Sequence, residues 1–320
     1  MGNGSNPTYF YFVIFENQGY TRYIFFILGL TLYLTILIFN VIILLVIYVE
    51  KMLHRPMYLL ISCLSFNSLY GTAGLFPRLL TDLLSDVHTI SPSSCHIQTF
   101  VIYTYASCEF TILTLMAYDR YVAICKPLQY HSIMTPSVLI GMTTTALFYP
   151  MFCFGSLIVV SSRLQLCGNE ITKLYCSGLS VLRLSCEEFA PSYILSFIVA
   201  VTTVFIPMVY ILYSYIRILI ICQRRSSEFK AKAFHTCLPH IVTFVNYSIA
   251  VFCEMIITRY EPWELPEFVI VILSLEFLIV PPVLNPLVYG LSFLEIRKKI
   301  NNYLRKNLIL KIILTLFRLF

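Results

Sequence analysis

Met116-Ala117-Tyr118-Asp119-Arg120-Tyr121-Val122-Ala123-Ile124-Cys125-Lys126-Pro127-Leu128 sets an acid beside a base at the end of a long apolar run, just ahead of a proline. Proline cannot continue a helix, so the pair stands where a helix would leave an apolar medium. A charge at that depth is costly unless paired or hydrated. Two readings stay open on these residues alone: an ordinary boundary arginine, or an ion pair whose breaking changes the state of the molecule. Ten residues earlier lies Glu109, about 15 Å further along a helix. A carboxyl group buried that far is a functional candidate by default. Glu254 and Glu276 are further acids in apolar runs, fitted to line a pocket or to hydrogen-bond their neighbours. No nucleophile–base pairing and no metal-ligand spacing is legible, so neither enzymatic activity nor a resident cofactor is expected.

The elements that carry these groups follow from composition. The 320 residues are 58% hydrophobic and 12% charged, against about 25% charged in a soluble domain. Mean hydropathy is +0.81. Seven apolar runs stand out, at Ile24–Val49, Met57–Leu80, Ile97–Ile124, Ser137–Ser161, Ser192–Cys222, Lys232–Ile257 and Glu267–Leu291. Each is long enough to cross a bilayer. They do not alternate apolar with polar as barrel strands do, and backbone in hydrocarbon must satisfy itself. The fold expected is an all-α membrane protein: a seven-transmembrane helix bundle with a short amphipathic helix after the seventh span. No internal repeat is visible, which argues against a transporter; a transporter or channel stays the alternative from another class.

Basic residues orient the bundle. With the N-terminus outside, the inner side gathers two Lys or Arg in its first loop, two around its second, five around its third and seven in the tail, sixteen of the 22. Such a bias marks the cytosolic face, and topology alone accounts for it; no nucleic-acid partner is expected. The single domain divides into an outer segment 1–23, the bundle 24–291 and a cytoplasmic segment 292–320. No basic start with a short apolar stretch precedes the first span, so that span is expected to serve as an uncleaved anchor. Asn3-Gly4-Ser5 is a glycosylation sequon on the expected outer side. Asn6-Pro7-Thr8 is excluded by its proline, and Asn246-Tyr247-Ser248 lies within a span.

This topology also sorts the 11 cysteines. Cys95, Cys167, Cys176 and Cys186 fall outside, where two bridges and three connectivities are open. Any bridge to the third span would staple the long loop from Ser162 to Ala190 over the bundle mouth. The other seven read as small buried hydrophobes.

Taken together, the motifs resemble those of the olfactory receptor family of rhodopsin-like receptors over nearly the whole chain. Besides the Asp119-Arg120-Tyr121 string, the matching segments are Leu53-His54-Arg55-Pro56-Met57-Tyr58, Ser214-Tyr215, Lys232-Ala233-Phe234-His235-Thr236-Cys237 with His240, and Pro282-Val283-Leu284-Asn285-Pro286-Leu287-Val288-Tyr289; Asn40 stands where the first span's asparagine belongs. The resemblance implies a cell-membrane receptor that binds a small-molecule odorant and activates a heterotrimeric G protein of the olfactory stimulatory type, raising cyclic AMP. A non-olfactory chemosensory role is the neighbouring alternative. It implies that Asp119 restrains Arg120 at rest, that Tyr215 and Tyr289 support the active state, and that Asn285-Pro286 provides a bend. It implies the bridges Cys95–Cys176 and Cys167–Cys186. It also implies a sodium ion as modulator at Glu109, although Ser68 replaces the family's usual aspartate, beside Asn67. A protonated structural Glu109 is the competing reading.

Outward of Glu109, Ile102, Tyr103, Ala106 and Ser107 share one side of the third span. Val199, Thr203 and Val204 stand at similar depth on the fifth, Val251, Phe252 and Met255 on the sixth, and Leu275, Leu278 and Ile279 on the seventh. This apolar set with scattered hydroxyls suits a weakly polar ligand; each residue equally suits helix packing. Ser248 stands where many family members carry a tyrosine, which is expected to enlarge the site. The seventh span has no lysine, excluding a retinal Schiff base, and the outer third span has no aspartate for an amine. After the seventh span, Phe293, Ile296, Ile300 and Leu304 oppose Arg297, Lys298, Lys299 and Arg305, the pattern of a helix lying on membrane lipid. The apolar stretch Leu308–Phe320 is too short to span and is expected to attach at the interface.

Overall fold

Polar cap and proline pairs start the helices earlier than hydropathy alone marks. In the computed structural model, which describes residues 7–15, 19–186, 190–223, 225–260 and 267–305, the spans are α1 (Thr21–Val49), α2 (Pro56–Leu84), α3 (Pro92–Cys125), α4 (Pro136–Ser161), α5 (Pro191–Gln223), α6 (Ser227–Tyr260) and α7 (Glu267–Ser292). All seven are long and apolar enough to cross a membrane. α3 begins five residues before the apolar run: Ser91 caps it by accepting from the Ser94 amide at 3.3 Å, with Pro92 in the first turn. Thr135 and Pro136 do the same for α4. Serine or threonine at the cap and proline in the first turn satisfy or remove the orphan N–H groups of a helix start. Hydropathy sees only the part that lipid touches. Asn3, Arg224 and Leu308–Phe320 lie outside the described residues.

α3 is the central helix, in contact with α2, α4, α5, α6 and α7. The outer helices turn large apolar side chains away from the protein: Ile27 and Leu28 on α1, Phe148 and Phe152 on α4, Phe197 and Val209 on α5 are all exposed. Such surfaces need hydrocarbon around them, and the chain is a multi-pass membrane protein. In lipid no hydrophobic force pulls helices together, so packing and interhelical hydrogen bonds must. Gly71 on α2 lets the buried ring of Tyr105 on α3 approach closely: a Cβ there would stand 2.3 Å from Tyr105 Cγ and 2.9 Å from its Cβ. Gly71→Ala is expected to cost about 1–3 kcal/mol by overpacking, read as a lower melting temperature of the solubilised protein. An unchanged melting temperature would contradict this contact.

Prolines inside the spans explain several of the cross-helix bonds. A proline leaves the carbonyl four residues earlier without its helical donor, at several kcal/mol in hydrocarbon if nothing replaces it. Pro150 frees Ala146 O, and Thr111 Oγ1 of α3 donates to it at 2.8 Å. Pro281 frees Phe277 O, taken by the Tyr105 hydroxyl at 3.1 Å. Pro286 frees Pro282 O, taken by Asn40 Nδ2 of α1 at 2.9 Å. Each break in one helix therefore becomes a tie to another. On α5, a π-helical turn at Val201–Phe205 precedes Pro207. Four-residue steps overshoot a turn of regular helix by about 40°; the wider turn keeps Val199, Thr203, Pro207 and Ile211 buried in one stripe.

At the N-terminal end of the bundle, a small sheet covers the mouth. β1 (Phe10–Phe12) pairs antiparallel with β2 (Thr89–Ile90) and parallel with β3 (Glu170–Ile171), in the order β2-β1-β3. Phe10 and Phe12 point into the core and are fully buried. At the other end α8 (Leu294–Arg305) buries Ile296 and packs Phe293 and Ile300 against the bundle, leaving Arg297 and Lys298 exposed. Its apolar face thus goes partly to protein rather than wholly to lipid. Glu50 anchors it, paired with Lys299 at 2.7 Å and accepting from Tyr303 at 2.8 Å.

Candidate functional site

At the α8 end, Asp119 is fully buried and holds Arg120 through Nη2 at 2.5 Å and Nε at 3.1 Å. Tyr130, in the short helix Tyr130–Ile133 after α3, donates its hydroxyl to the other oxygen of Asp119 at 2.7 Å. Both carboxylate oxygens are thereby engaged. Tyr121 is half-buried against the core. Tyr215 on α5 is buried with its hydroxyl unpartnered. Tyr289 on α7 is buried and meets His240 Nδ1 of α6 at 3.3 Å, their rings 5.3 Å apart. His240, which the sequence reading used only as a motif letter, thus joins α6 to α7. This end combines a paired arginine, a joined α6–α7 seam and the unpartnered buried hydroxyls of Ser214 and Tyr215.

Midway along the bundle Glu109 is fully buried and tied on both sides. Asn67 Nδ2 of α2 donates to Oε2 at 2.8 Å, and Asn285 Nδ2 of α7 donates to Oε1 at 2.6 Å. Ser68 spends its hydroxyl on Leu64 O within its own helix at 3.0 Å. Asn67, not Ser68, therefore reaches the carboxylate. Among the described residues no group of three or more His, Cys, Asp or Glu could hold a metal.

At the sheet end, the long loop is stapled twice: Cys95 to Cys176 and Cys167 to Cys186, with Cα separations of 5.4 and 4.9 Å. Gln98 and Thr99 of α3 bind the amide and carbonyl of Cys176 at 2.9 and 3.1 Å. From this lid Lys173 pairs with Glu254 of α6 at 2.6 Å and also bonds Thr258; the Tyr175 hydroxyl donates to Glu254 at 2.6 Å. Burial pushes the Lys173 ammonium below its ordinary pKa, and the neighbouring Glu254 carboxylate pulls it back up. Glu254 is thus a lid anchor, whereas Glu276 is half-buried.

Beneath the lid the candidate ligand residues divide. Ile102, Val199 and Leu278 are buried. Ser107 donates to Thr203 Oγ1 at 3.2 Å, joining α3 to the π-helical turn of α5. Tyr103 stacks on Phe154 of α4 at 5.8 Å, and Met255 and Leu275 are half-buried against the core. Phe252 sits apart, its ring 6.1 Å from Phe205 at the α5–α6 seam. The carbonyl of Ala106 accepts the Tyr247 hydroxyl at 2.8 Å. The hydroxyl of Ser248 is buried without a partner. Tyr247, one residue earlier, is fully buried against Phe110 at 4.8 Å and fills the floor. Its signal was the stripe Tyr247, Val251, Glu254, Thr258 at three- and four-residue spacing. Tyr105, Lys173 and Tyr175 had no comparable signal, because each acts on a partner distant in sequence; Tyr130 had none because its reach back to Asp119 crosses the turn after α3.

An Asp119–Arg120 ion pair at one end and a stapled lid at the other, joined by a polar middle, are held in one bundle of seven helices long and apolar enough to cross a membrane. The family model described as "Olfactory receptor" matches residues 30–307. Human olfactory receptor 6K3 is 33% identical over 307 residues, covering 95% of this chain and 90% of its own length. Human olfactory receptor 2K2 is 34% identical over 302 residues, covering 92% and 94%. Human olfactory receptor 10Z1 is 33% identical over 304 residues, covering 94% and 96%. The chain belongs to the olfactory receptor family.

Proposed function

We propose that this receptor binds a small odorant between α3, α5, α6 and α7 below the lid and answers by activating a heterotrimeric G protein of the stimulatory olfactory type, raising cyclic AMP. In this reading the sheet end, with Asn3 glycosylated, faces outward, and the α8 end faces the cytosol, as the basic residues direct. The observation that carries it is the Arg120 end. Arg120 is held by its neighbour Asp119 on α3, and α6 meets α7 through His240 and Tyr289, so a ligand that favours separation of the inner ends parts α6 from α7 and gives a G protein access to draw Arg120 from Asp119. Ligand action requires only that the open arrangement bind it better than the closed one. The test is an odorant screen on cells that co-express this chain and the olfactory stimulatory G protein. Concentration-dependent cyclic AMP is expected; agonist signalling solely through another G-protein class would contradict the coupling assigned.

Sodium fits poorly at Glu109 in this reading. Both carboxylate oxygens already face amide N–H donors, and Ser68 brings no second charge. Glu109 acts instead as a tie between α2, α3 and α7, and the receptor needs no resident cofactor. A modulating ion would change agonist potency roughly fivefold or more. Replacing bath sodium by N-methylglucamine is expected to leave potency unchanged, and a shift of that size would restore the sodium role.

A further inference from the structure

Glu254 is held by one oxygen only. Its Oε1 accepts from Lys173 Nζ at 2.6 Å, Tyr175 Oη at 2.6 Å and Thr258 Oγ1 at 2.8 Å, while Oε2 is buried and has no partner. An unmatched buried acceptor costs about 1–3 kcal/mol, more when it is charged, and Glu254 is the one carboxylate among the described residues with a buried oxygen left so. The two oxygens of a carboxylate diverge. With three donors gathered on Oε1 from the lid and the outer turn of α6, Oε2 is turned away from them.

Below Glu254 on the same buried stripe stand Val251 and Tyr247, and Tyr247 touches Ala106 of α3. Seven residues of helix rise about 10 Å, so the orphan oxygen stands that far above the floor. Ile102 of α3 and Leu278 of α7, both fully buried and apolar, belong to the candidate set at this end of the bundle. The stripe is apolar, with one unanswered acceptor toward its outer end.

Charge narrows the occupant. Lys173 already balances Glu254. Arg183, the other cation that Lys173 feels, is exposed. An ammonium ligand would add an unpaired buried charge, and a carboxylate would set like charges together; either is costly away from water. A ketone, ether or ester offers only acceptors to an acceptor. We infer that the ligand is a neutral small molecule with an O–H or N–H that it donates to Glu254 Oε2, its apolar remainder lying between α3, α6 and α7. Alcohols and phenols are the class that fits. This rests on the proposed ligand position and adds the polar group it must carry.

The probes are medium-chain primary alcohols and phenols, each beside its methyl ether and a methyl ketone of equal size. The readout is the melting temperature of the full-length receptor in lipid nanodiscs against probe concentration. At least one alcohol or phenol is expected to stabilise the protein, with its ether and ketone binding roughly tenfold to hundredfold more weakly. Lys173→Met combined with Glu254→Gln removes both charges together, so no buried charge is stranded. Its amide can donate as well as accept, and the preference is expected to disappear. Ethers or ketones that bind as tightly as their alcohols, a panel in which no donor stabilises the protein, or a double variant that keeps the full preference would each overturn the inference. Stabilisation by alcohols without any cyclic AMP would instead sink the signalling reading and leave this site standing. Cyclic AMP evoked by acceptor-only probes alone would do the reverse.

Discussion

Arg120→Ala is expected to abolish agonist-driven cyclic AMP while the receptor still reaches the cell surface. The side chain makes its bonds at the edge of the bundle, to Asp119 of its own helix, and Asp119 keeps a second donor in Tyr130 when the arginine is gone. The fold therefore loses little. In the proposed reading, coupling loses a charge that the opened end presents to a G protein. The opposite change gives the opposite sign: Asp119→Asn weakens the hold on Arg120 and is expected to raise basal cyclic AMP. Moving a population from nearly closed to nearly open takes about 5.5 kcal/mol, so loosening one ion pair raises the basal level without saturating it. Reporter assays with surface labelling separate the two effects. Normal agonist responses in Arg120→Ala, or a silent Asp119→Asn at normal surface level, would remove the switch role.

Cys176→Ser is expected to stop maturation almost completely. The Cys95–Cys176 bridge closes 81 residues, which in the chain-entropy account is worth about 4–5 kcal/mol, against roughly 3 for a closure as short as that of Cys167–Cys186, 19 residues apart. The backbone of Cys176 is also the point at which Gln98 and Thr99 grip the lid. Losing the bridge frees the segment that carries Lys173 and Tyr175 and strands the Glu254 carboxylate. Cys186→Ser should retain a measurable mature fraction. Surface immunolabelling and glycan processing report both, and a fully processed, responsive Cys176→Ser receptor would rule out the staple.

The spans were legible because lipid immersion writes itself into hydropathy, and the first turn of α3 was missed because that helix starts on the polar Ser91 cap and Pro92, ahead of its apolar run. The Asp119–Arg120 pair was legible because its partners are adjacent. What stayed hidden was tertiary. Pro150, Pro281 and Pro286 announced three freed carbonyls, but only the folded bundle shows that Thr111, Tyr105 and Asn40 answer them. The same holds for Asn67 reaching Glu109 in place of Ser68, and for β1 closing the mouth through two distant strands. The Lys173–Glu254 pair joins positions 81 residues apart, with no periodicity to mark it.

The central claim is that a guest beneath the lid opens the far end of the bundle. Distance measurement between spin labels at Ser132, after α3, and His235, on α6, both exposed, tests it in nanodiscs with and without agonist. The separation should grow by several ångströms when agonist binds and should stay unchanged with a compound of similar size that does not bind. An unchanged distance in a receptor shown to be occupied by agonist would contradict the account.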